Sequence, residues 1–467
     1  MIELKQKAVF LESDVATPIS AFLAQVGPEG SGLLLESAEV GGRWGRHSLI
    51  CVGALLRLVC DQGRLRIDYV DPRFEPLARL NGQPFLAGLK EVMAELTIES
   101  DPLTKELPPI TRALYGYLGY GLAGQMEPSL SGWLKPEAAE ACLVLPARVL
   151  LFDHSYNTLV SLDLGGRPLD LKAPQVTGSS PLNLTVSPSK EVFMSQVAKG
   201  RELIAQGELI QLVLSVGFES PFSGDPFNIY RRLRRLNPSP YMFYLKDPDI
   251  SLVVSSPEVM VSCSNNRLRL CPIAGTKPRG QDRLEDDLFE SELVDDPKEQ
   301  SEHVMLVDLG RNDLGRVATS GSVEVVRFME VERFSHVMHL TSHLGADLAP
   351  GLSAVDVVSA TFPAGTLSGA PKIKAMELIA QMEGIDRGPY GGAIGWLGLD
   401  KDSVNLDLGI NIRSLWTRNG KAFFRAGAGV VYDSDPLSEW QECQAKAAAV
   451  MAAFNGSAKE GKNVVID

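Results

Sequence analysis

The sequence predicts an α+β protein in which two packed antiparallel β-sheets carry flanking helices. Three observations lead there. From about residue 8 to 160, short apolar runs are punctuated by glycine turns, the text of antiparallel sheet. Near the C-terminus Val404, Leu406, Leu408, Ile410 and Ile412 alternate with Asn405, Asp407, Gly409, Asn411 and Arg413, a two-residue period that places Arg413 on the polar or pocket side. Helices declare themselves by their caps: Ser189 before Lys190, Asp296-Pro297 with Glu299 to complete a capping box, and Asp435-Pro436.

Taken in order, apolar runs at 31–37, 43–50, 116–120 and 148–153 read as strands. Residues 164–189, rich in Gly, Pro and Ser, read as a connector. It divides a β-rich portion, 1–185, from a second portion, 186–467. A helix from Lys190 to about Gln206 stops at Gly207, and a strand follows over 209–215. Strands at 251–255 and 268–273 flank a turn at Asn265-Asn266, and an acidic helix covers about 284–294. The helix opened by Asp296 carries Glu302, His303 and the apolar run 304–309. After a β-like segment at 334–340, a small-residue loop over 361–372 opens onto a helix at Pro371. Asn419-Gly420 closes a hairpin whose return strand leads to the last helix, 435–454.

A chain of 467 residues suggests two or three domain-sized units, and 45% apolar with 22% charged residues is ordinary for a soluble globular protein. A net charge of −13 argues against nucleic acid or an anionic membrane surface as partner, so an anionic substrate would need local cations or a metal. The six cysteines have no CxxC spacing, which fits buried reduced thiols better than zinc or disulfides. The N-terminus has no signal-like apolar core and no run approaches membrane-spanning length, so a cytoplasmic location is expected.

In the last helix Glu439, Glu442 and Lys446 border the apolar stripe of Cys443, Ala447, Val450 and Phe454. Taken alone, Glu442 and Lys446 are a surface pair worth a few tenths of a kcal/mol. Taken with Glu302 on another helix, the acids offer the sparse oxygen ligation that Mg²⁺ accepts. Gly427-Ala428-Gly429 lacks the third glycine of a dinucleotide fingerprint, and 365–372 lacks the Gly-Lys-Ser/Thr of a phosphate loop. Glycines in a strand nevertheless admit a close approach, and a small-residue loop at a helix start suits a carboxylate. On a strand His336, His339 and His343 do not share one face, so a single histidine as acid or base is the functional reading and a structural histidine the plain one. No Gly-x-Ser-x-Gly or His-Glu-x-x-His occurs. No Gly-x-Cys-x-Gly nucleophile occurs either, so the chain is not expected to hydrolyse glutamine itself.

Several stretches together resemble the chorismate-utilising enzymes, and within them the anthranilate-forming branch. They are Pro272-Ile-Ala-Gly-Thr276, Glu302-His-Val-Met-Leu-Val-Asp-Leu-Gly-Arg-Asn-Asp313, Phe334-Ser-His-Val-Met-His-Leu340, Phe362-Pro-Ala-Gly-Thr-Leu-Ser-Gly-Ala-Pro-Lys372, Arg387-Gly-Pro-Tyr-Gly-Gly392, Ile412-Arg413, Gly427-Ala-Gly429 and Glu439-Trp-Gln-Glu442. Leu34-Leu-Glu-Ser37, Arg43-Trp-Gly45 and Asn237-Pro-Ser-Pro-Tyr-Met-Phe243 extend the likeness to nearly the whole chain.

The resemblance implies a cleft between the two sheets, with Mg²⁺ on Glu302 and Glu442 and Glu439 beside them. It implies chorismate held by Gly275, Thr276, Thr366, Tyr390, Arg413, Gly427, Ala428, Gly429 and Lys446, with Glu258 and His339 as proton-transfer groups. Gln211 stands where water-adding relatives place Lys, and Ala274 where aminodeoxychorismate-forming relatives often place Lys. Both positions favour ammonia addition followed by pyruvate release. The implied partner is a separate glutamine amidotransferase subunit, making a hetero-oligomer. Tryptophan feedback is implied through Glu36, Ser37, Pro240, Tyr241 and Met242. Alternatives are an enzyme forming aminodeoxychorismate or stopping at 2-amino-2-deoxyisochorismate, and a non-catalytic tryptophan-binding regulator. The chain departs from the pattern at Val216-Gly217, where relatives often have Gln-Arg, and at Gly121, where Asp is common.

Overall fold

The computed structural model describes residues 1–12, 16–27, 30–37, 45–104, 106–156, 158–165, 184–333 and 337–455. One antiparallel sheet runs in the order Thr185–Ser187, Gln211–Pro221, Lys421–Val430, Ser414–Arg418, Ser251–Ser256, Tyr241–Lys246, Gly32–Glu36 and the start of His47–Asp61. A second runs through Ala113–Leu118, Ala393–Gly398, Leu406–Ile410, Val259–Ser264, Arg267–Leu270 and Val337–Asp347, the last flanked by Ile273–Pro278 and Glu324–Arg333. The long strands His47–Asp61 and Ala141–Asp153 pair with each other and belong to both sheets. A bulge between Ala54 and Leu56, next to Gly53 at φ 64°, bends that ribbon from one sheet into the other.

Strand alternation builds the layers. Leu33, Phe243, Leu245, Leu252 and Val254 share one core with Leu406, Leu408 and Ile410 of the second sheet. Their neighbours Leu34, Met242, Tyr244 and Val253 face the other way, into a core with Phe22, Phe193, Tyr230, Cys443 and Val450 from four helices. A one-residue slip in register would exchange these two sets, which is why the pairing is fixed.

The two packed antiparallel sheets with flanking helices are therefore present, but several passages read differently from their sequence, and the run at 268–273 is divided between Arg267–Leu270 and Ile273–Pro278. The strand at 251–255 does not lead into the Asn265-Asn266 turn; a further strand, Val259–Ser264, intervenes and lies in the other sheet. Likewise the alternating run at 404–412 is a strand only over Leu406–Ile410, after which the chain crosses to the first sheet at 411–413, with Arg413 at φ 48°. Each run looks continuous because a crossing residue can keep the two-residue pattern. At the helix Pro297–Gly315, Asp296 accepts from the Lys298 and Glu299 amides, but no capping box closes. The Glu299 carboxylate lies instead 3.0 Å from the place a Cβ on Gly275 would take.

The portions 1–185 and 186–467 interleave: Gly32–Glu36 pairs with Tyr241–Lys246, and Ala113–Leu118 with Ala393–Gly398. Of the connector, 166–183 lies outside the described residues, as do Arg43, Trp44 and 334–336.

Two residues of the quoted motifs prove structural. Lys372 Nζ donates to Asp313 Oδ2 at 2.6 Å and to the Thr361 carbonyl at 3.2 Å, and both charged side chains are buried, 7% and 5% exposed. Removing one partner strands the other's charge in the interior. Lys372→Met should lower unfolding stability by about 3–5 kcal/mol, and adding Asp313→Leu should recover most of it, as read from denaturation midpoints.

Candidate functional site

The site lies where the chain passes between sheets, at two neighbouring crossings. Glu258 occupies one and Arg413 the other. Backbone bonds join them: Ile410 N–H to the Glu258 carbonyl at 2.9 Å, and Ser255 N–H to the Arg413 carbonyl at 3.3 Å. Burial pushes the Glu258 carboxyl up to about 7, while a 2.8 Å hydrogen bond from Thr366 Oγ1 and the charges of Lys446 and Arg413 pull it down. Burial lowers the Arg413 pKa, opposed by Glu258, and its guanidinium has no hydrogen-bond partner among the described residues. A half-buried guanidinium with no protein partner is a ready bidentate seat for a carboxylate.

His339 stands across from Thr276 on the adjacent strand. Its Nδ1 is 3.0 Å from the Gly275 carbonyl and 3.0 Å from Thr276 Oγ1. A carbonyl only accepts, so Nδ1 carries the proton and Nε2 is the basic nitrogen. Burial lowers the His339 pKa, partly offset by the Gly275 carbonyl, which favours neutral imidazole. Gly275 reaches this position through a bulge, at φ 60°. His336 lies outside the described residues, and His343 is turned to Glu332 Oε1, 3.0 Å away, and Arg327 Nη2, 2.6 Å away. Of the two described histidines of this set, only His339 reaches the Gly275 carbonyl and Thr276.

Gly427, Ala428 and Gly429 form one wall. Ala428 belongs to the helix-side core, so the glycines face the opposite side. A Cβ on Gly427 would lie 2.8 Å from Tyr390 Oη, and one on Gly429 would lie 2.9 Å from Gln211 Nε2. Gln211 Nε2 donates to Glu302 Oε1 at 3.2 Å, and Lys446 Nζ to the Gly427 carbonyl at 3.1 Å. Asn411 anchors the Tyr390 loop through two backbone bonds, from Gly391 N–H at 2.9 Å and to the Gly392 carbonyl at 2.8 Å.

Beneath this wall is a group the sequence reading missed. Glu383 receives Arg387 Nη2 at 2.7 Å and Nε at 3.0 Å, the Ser215 amide and hydroxyl at 2.8 Å each, and Arg425 Nη2 at 3.4 Å. Burial alone would raise the Glu383 pKa, but the two guanidiniums and these hydrogen bonds overcome it and hold the carboxyl ionised.

The acids expected to hold a cation come from the helices Pro297–Gly315 and Pro436–Asn455. Burial raises the Glu439 pKa, with Glu442 adding to it; burial likewise raises Glu299, with Glu302 adding. The two helices therefore bring excess negative charge to one region, where Lys298 of the first acts on Glu439 of the second. Glu442 also makes the plain surface pair, 2.5 Å from Lys446 Nζ with the side chains 45% and 47% exposed. Among the described residues no three His, Cys, Asp or Glu groups stand at ligand spacing. Carboxylate oxygens without Cys or His beside them suit Mg²⁺, which completes its shell with water and substrate oxygens, better than zinc.

The inhibitor set divides. Glu36 and Met242 are cross-strand partners, so the two segments do meet. The Glu36 carboxylate, however, is fully buried and taken by Arg234 Nε at 2.7 Å and Nη2 at 2.9 Å and by Tyr230 Oη at 2.7 Å. Met242 points into the helix-side core, while Pro240 and Ser37 are half-buried. Tyr241 lies under Gly409, where a Cβ would be 2.6 Å from its ring, and its hydroxyl donates to Asp407 Oδ1 at 2.7 Å.

Residues 71–452 match the chorismate binding enzyme family. The chain is 37% identical to anthranilate synthase component 1 of Acinetobacter calcoaceticus, covering 94% of this chain and 93% of that one. It is 38% identical to the protein of the same name from Aquifex aeolicus, over 94% and 92%. A crystal structure of anthranilate synthase component I from Streptococcus pneumoniae superposes with a TM-score of 0.75 at 32% identity, covering 94% of this chain and 98% of that one. The menaquinone-specific isochorismate synthase of Escherichia coli shares the fold at 19% identity, TM-score 0.72, over 97% and 95%.

The Glu258 environment makes a stability prediction. Its carboxyl titrates near 4.5 when unfolded and near 7 when folded, so the folded state binds the proton more tightly. That contribution to stability is present below the unfolded value and is lost as pH rises through the folded one. Glu258→Gln, which cannot ionise, should therefore raise Tm relative to the parent at pH 8 and give little or no gain at pH 4.

Proposed function

The chain belongs to the chorismate binding enzyme family, and from that premise we propose that it is the large subunit of an anthranilate synthase, turning chorismate and ammonia into anthranilate and pyruvate at the first step of tryptophan biosynthesis. The observation that carries the reading is the half-buried Arg413 guanidinium, without a hydrogen-bond partner among the described residues and acting on a carboxyl whose pKa is about 7.

Chorismate presents two carboxylates and a C4 hydroxyl that must leave. Arg413 takes one carboxylate in a bidentate grip, and the Gly427 and Gly429 wall admits the flat ring without a side chain in the way. Glu258 is about half protonated near neutrality and donates its proton to the departing hydroxyl, which leaves as water while ammonia adds at C2. Elimination then removes the C2 proton and breaks the ether bond to release pyruvate, with His339 Nε2 suited to accept a proton. Mg²⁺ held by Glu302 and Glu442, with Glu439 beside them, would neutralise the ring carboxylate and align the substrate.

Gln211, its amide bonded to Glu302, offers no base to activate water, and Ala274 no nucleophile; both support ammonia as the attacking group. We assign the supply of ammonia to a separate glutamine amidotransferase subunit, as the relatives' designation component 1 suggests. Tryptophan feedback belongs to the same proposal: Tyr241 is bonded to Asp407 on the strand that continues to Arg413, a short mechanical path from inhibitor segment to substrate seat. No helix among the described residues is long and apolar enough to cross a membrane, and we place the enzyme in the cytoplasm.

Purified chain with chorismate, Mg²⁺ and ammonium should form fluorescent anthranilate; accumulation of a non-aromatic amino product would favour the aminodeoxychorismate or amino-isochorismate alternatives instead. Glu302→Gln should lower turnover sharply without loss of folding, as read from initial rates and the thermal unfolding curve. Glu442→Gln should raise the Mg²⁺ concentration needed for half-maximal rate, and an unchanged requirement would leave Glu442 as half of a surface pair.

A further inference from the structure

Gly217 has no conformational reason to be glycine. It sits in a regular antiparallel ladder, paired with Arg425 between the pairs Val216 with Ala426 and Phe218 with Phe424, and its φ is not positive. What excludes a side chain is occupied space. A Cβ on Gly217 would lie 3.0 Å from Arg425 Nη1 and 3.3 Å from the Ser187 carbonyl. The guanidinium of Arg425 therefore fills the volume that a side chain at 217 would enter. From there Nη2 donates to Ser215 Oγ at 2.8 Å and to Glu383 Oε2 at 3.4 Å, and Nε donates to Ser215 Oγ at 3.2 Å. The Arg425 and Glu383 side chains are 6% and 2% exposed.

We propose that Arg425 is a positioning residue that brings to buried Glu383, from the neighbouring strand, the cation that an arginine at 217 would otherwise bring. It does so directly below the substrate wall: Arg425 shares its strand face with Gly427 and Gly429. By clamping Ser215 and Glu383 it fixes the strand opposite Gly427. Through Glu383 it fixes Arg387, whose guanidinium carbon lies 5.9 Å from the Tyr390 ring centroid and whose Nη1 donates to the Leu367 carbonyl at 2.8 Å, beside Thr366. The inference rests on the reading of that wall as the chorismate seat.

The role predicts an exchange. Because the wall seats the face of the ring and supplies it no proton donor or acceptor, its loosening weakens ground state and transition state alike and appears in KM. Arg425→Gln should raise KM for chorismate about tenfold with kcat within about twofold. Gly217→Arg alone forces two guanidiniums into one space and should lower Tm. The double variant Gly217→Arg/Arg425→Gln should return KM to within about threefold of the parent and Tm close to it, the non-additivity of residues that share a site. The proposal is overturned if Arg425→Gln leaves KM unchanged, or if the double variant is no closer to the parent than its singles in KM and Tm. Should Arg425→Gln fail to fold, a folded double variant with near-parental KM supports the exchange and an unfolded one refutes it. If the parent forms no anthranilate, the functional reading fails, while the Tm coupling of 217 and 425 still decides the exchange.

Discussion

One buried ion pair holds the catalytic end of this protein together. Arg387 is 1% exposed, and its guanidinium bonds to the carboxylate of Glu383, the carbonyl of Val213 and the carbonyl of Leu367 while lying 4.8 Å from the Tyr120 ring centroid. Those contacts join a helix end, an inner strand, the turn that presents Thr366 and the loop that presents Tyr390. Burying two charges is expensive, and only near-complete hydrogen bonding makes it tolerable. The Glu383 carboxylate meets that condition with donors from Arg387, Arg425 and Ser215. A site that must recognise a flat dianion needs fixed donors, since a donor that moves to meet its ligand gives up part of the binding in ordering itself.

The second constraint is topological. Glu258 and Arg413 are far apart in sequence yet adjacent because both sit where a strand of one sheet hands over to the other. At such a crossing the backbone cannot continue either ladder, so its side chains fall into the mouth between the sheets instead of into a core. The two crossings bond to each other through Ile410 with Glu258 and Ser255 with Arg413, so the acid and the cation move as one unit. Arg413 accepts a φ of 48° to do this, a conformation that costs a non-glycine residue roughly 1–3 kcal/mol and persists only where the surroundings impose it.

How much of this was legible in the sequence depends on range. The caps at Ser189, Asp296 and Asp435 were readable because a cap is a contact between residues two or three apart. The two-residue alternation gave the strands, and the glycine wall, Arg413 and the paired acids could be named as candidates. The handover between sheets was not readable, since alternation records which side of a strand is apolar and not which sheet it joins. Ion pairs were harder still. Glu383 with Arg387 and Glu442 with Lys446 have the same four-residue spacing in sequence, yet the helix Lys372–Glu383 ends at Glu383 and leaves Arg387 in the loop beyond, and that pair is 2% and 1% exposed where the second, within one helix, is 45% and 47%. Spacing alone gives both the same surface value of a few tenths of a kcal/mol. What separates them is the strand packed against each, which no local pattern records.

A net charge of −13 repels a dianionic substrate at long range, so attraction must be built locally, and the arrangement of cations shows how. Arg413 is partly desolvated and has no hydrogen-bond partner among the described residues, which suits it to be the strong contact of the proposed seat. Lys446 is half exposed and shared between Glu442 and the Gly427 carbonyl, so it is screened and adjustable. Arg387 and Arg425 both face the one Glu383 carboxylate below the wall, two guanidiniums against a single anion, which leaves a surplus of positive charge there. Glycine is what lets that surplus act. A side chain at 427 would meet the Tyr390 hydroxyl and one at 429 the Gln211 amide, and either would hold the anion further from the buried cations. Because Coulomb attraction inside protein falls off with distance at an effective dielectric near 20, an ångström added there matters more than a charge added on the surface. In the proposed seat the conspicuous glycines and the hidden arginines would thus act as one device, each depending on the other.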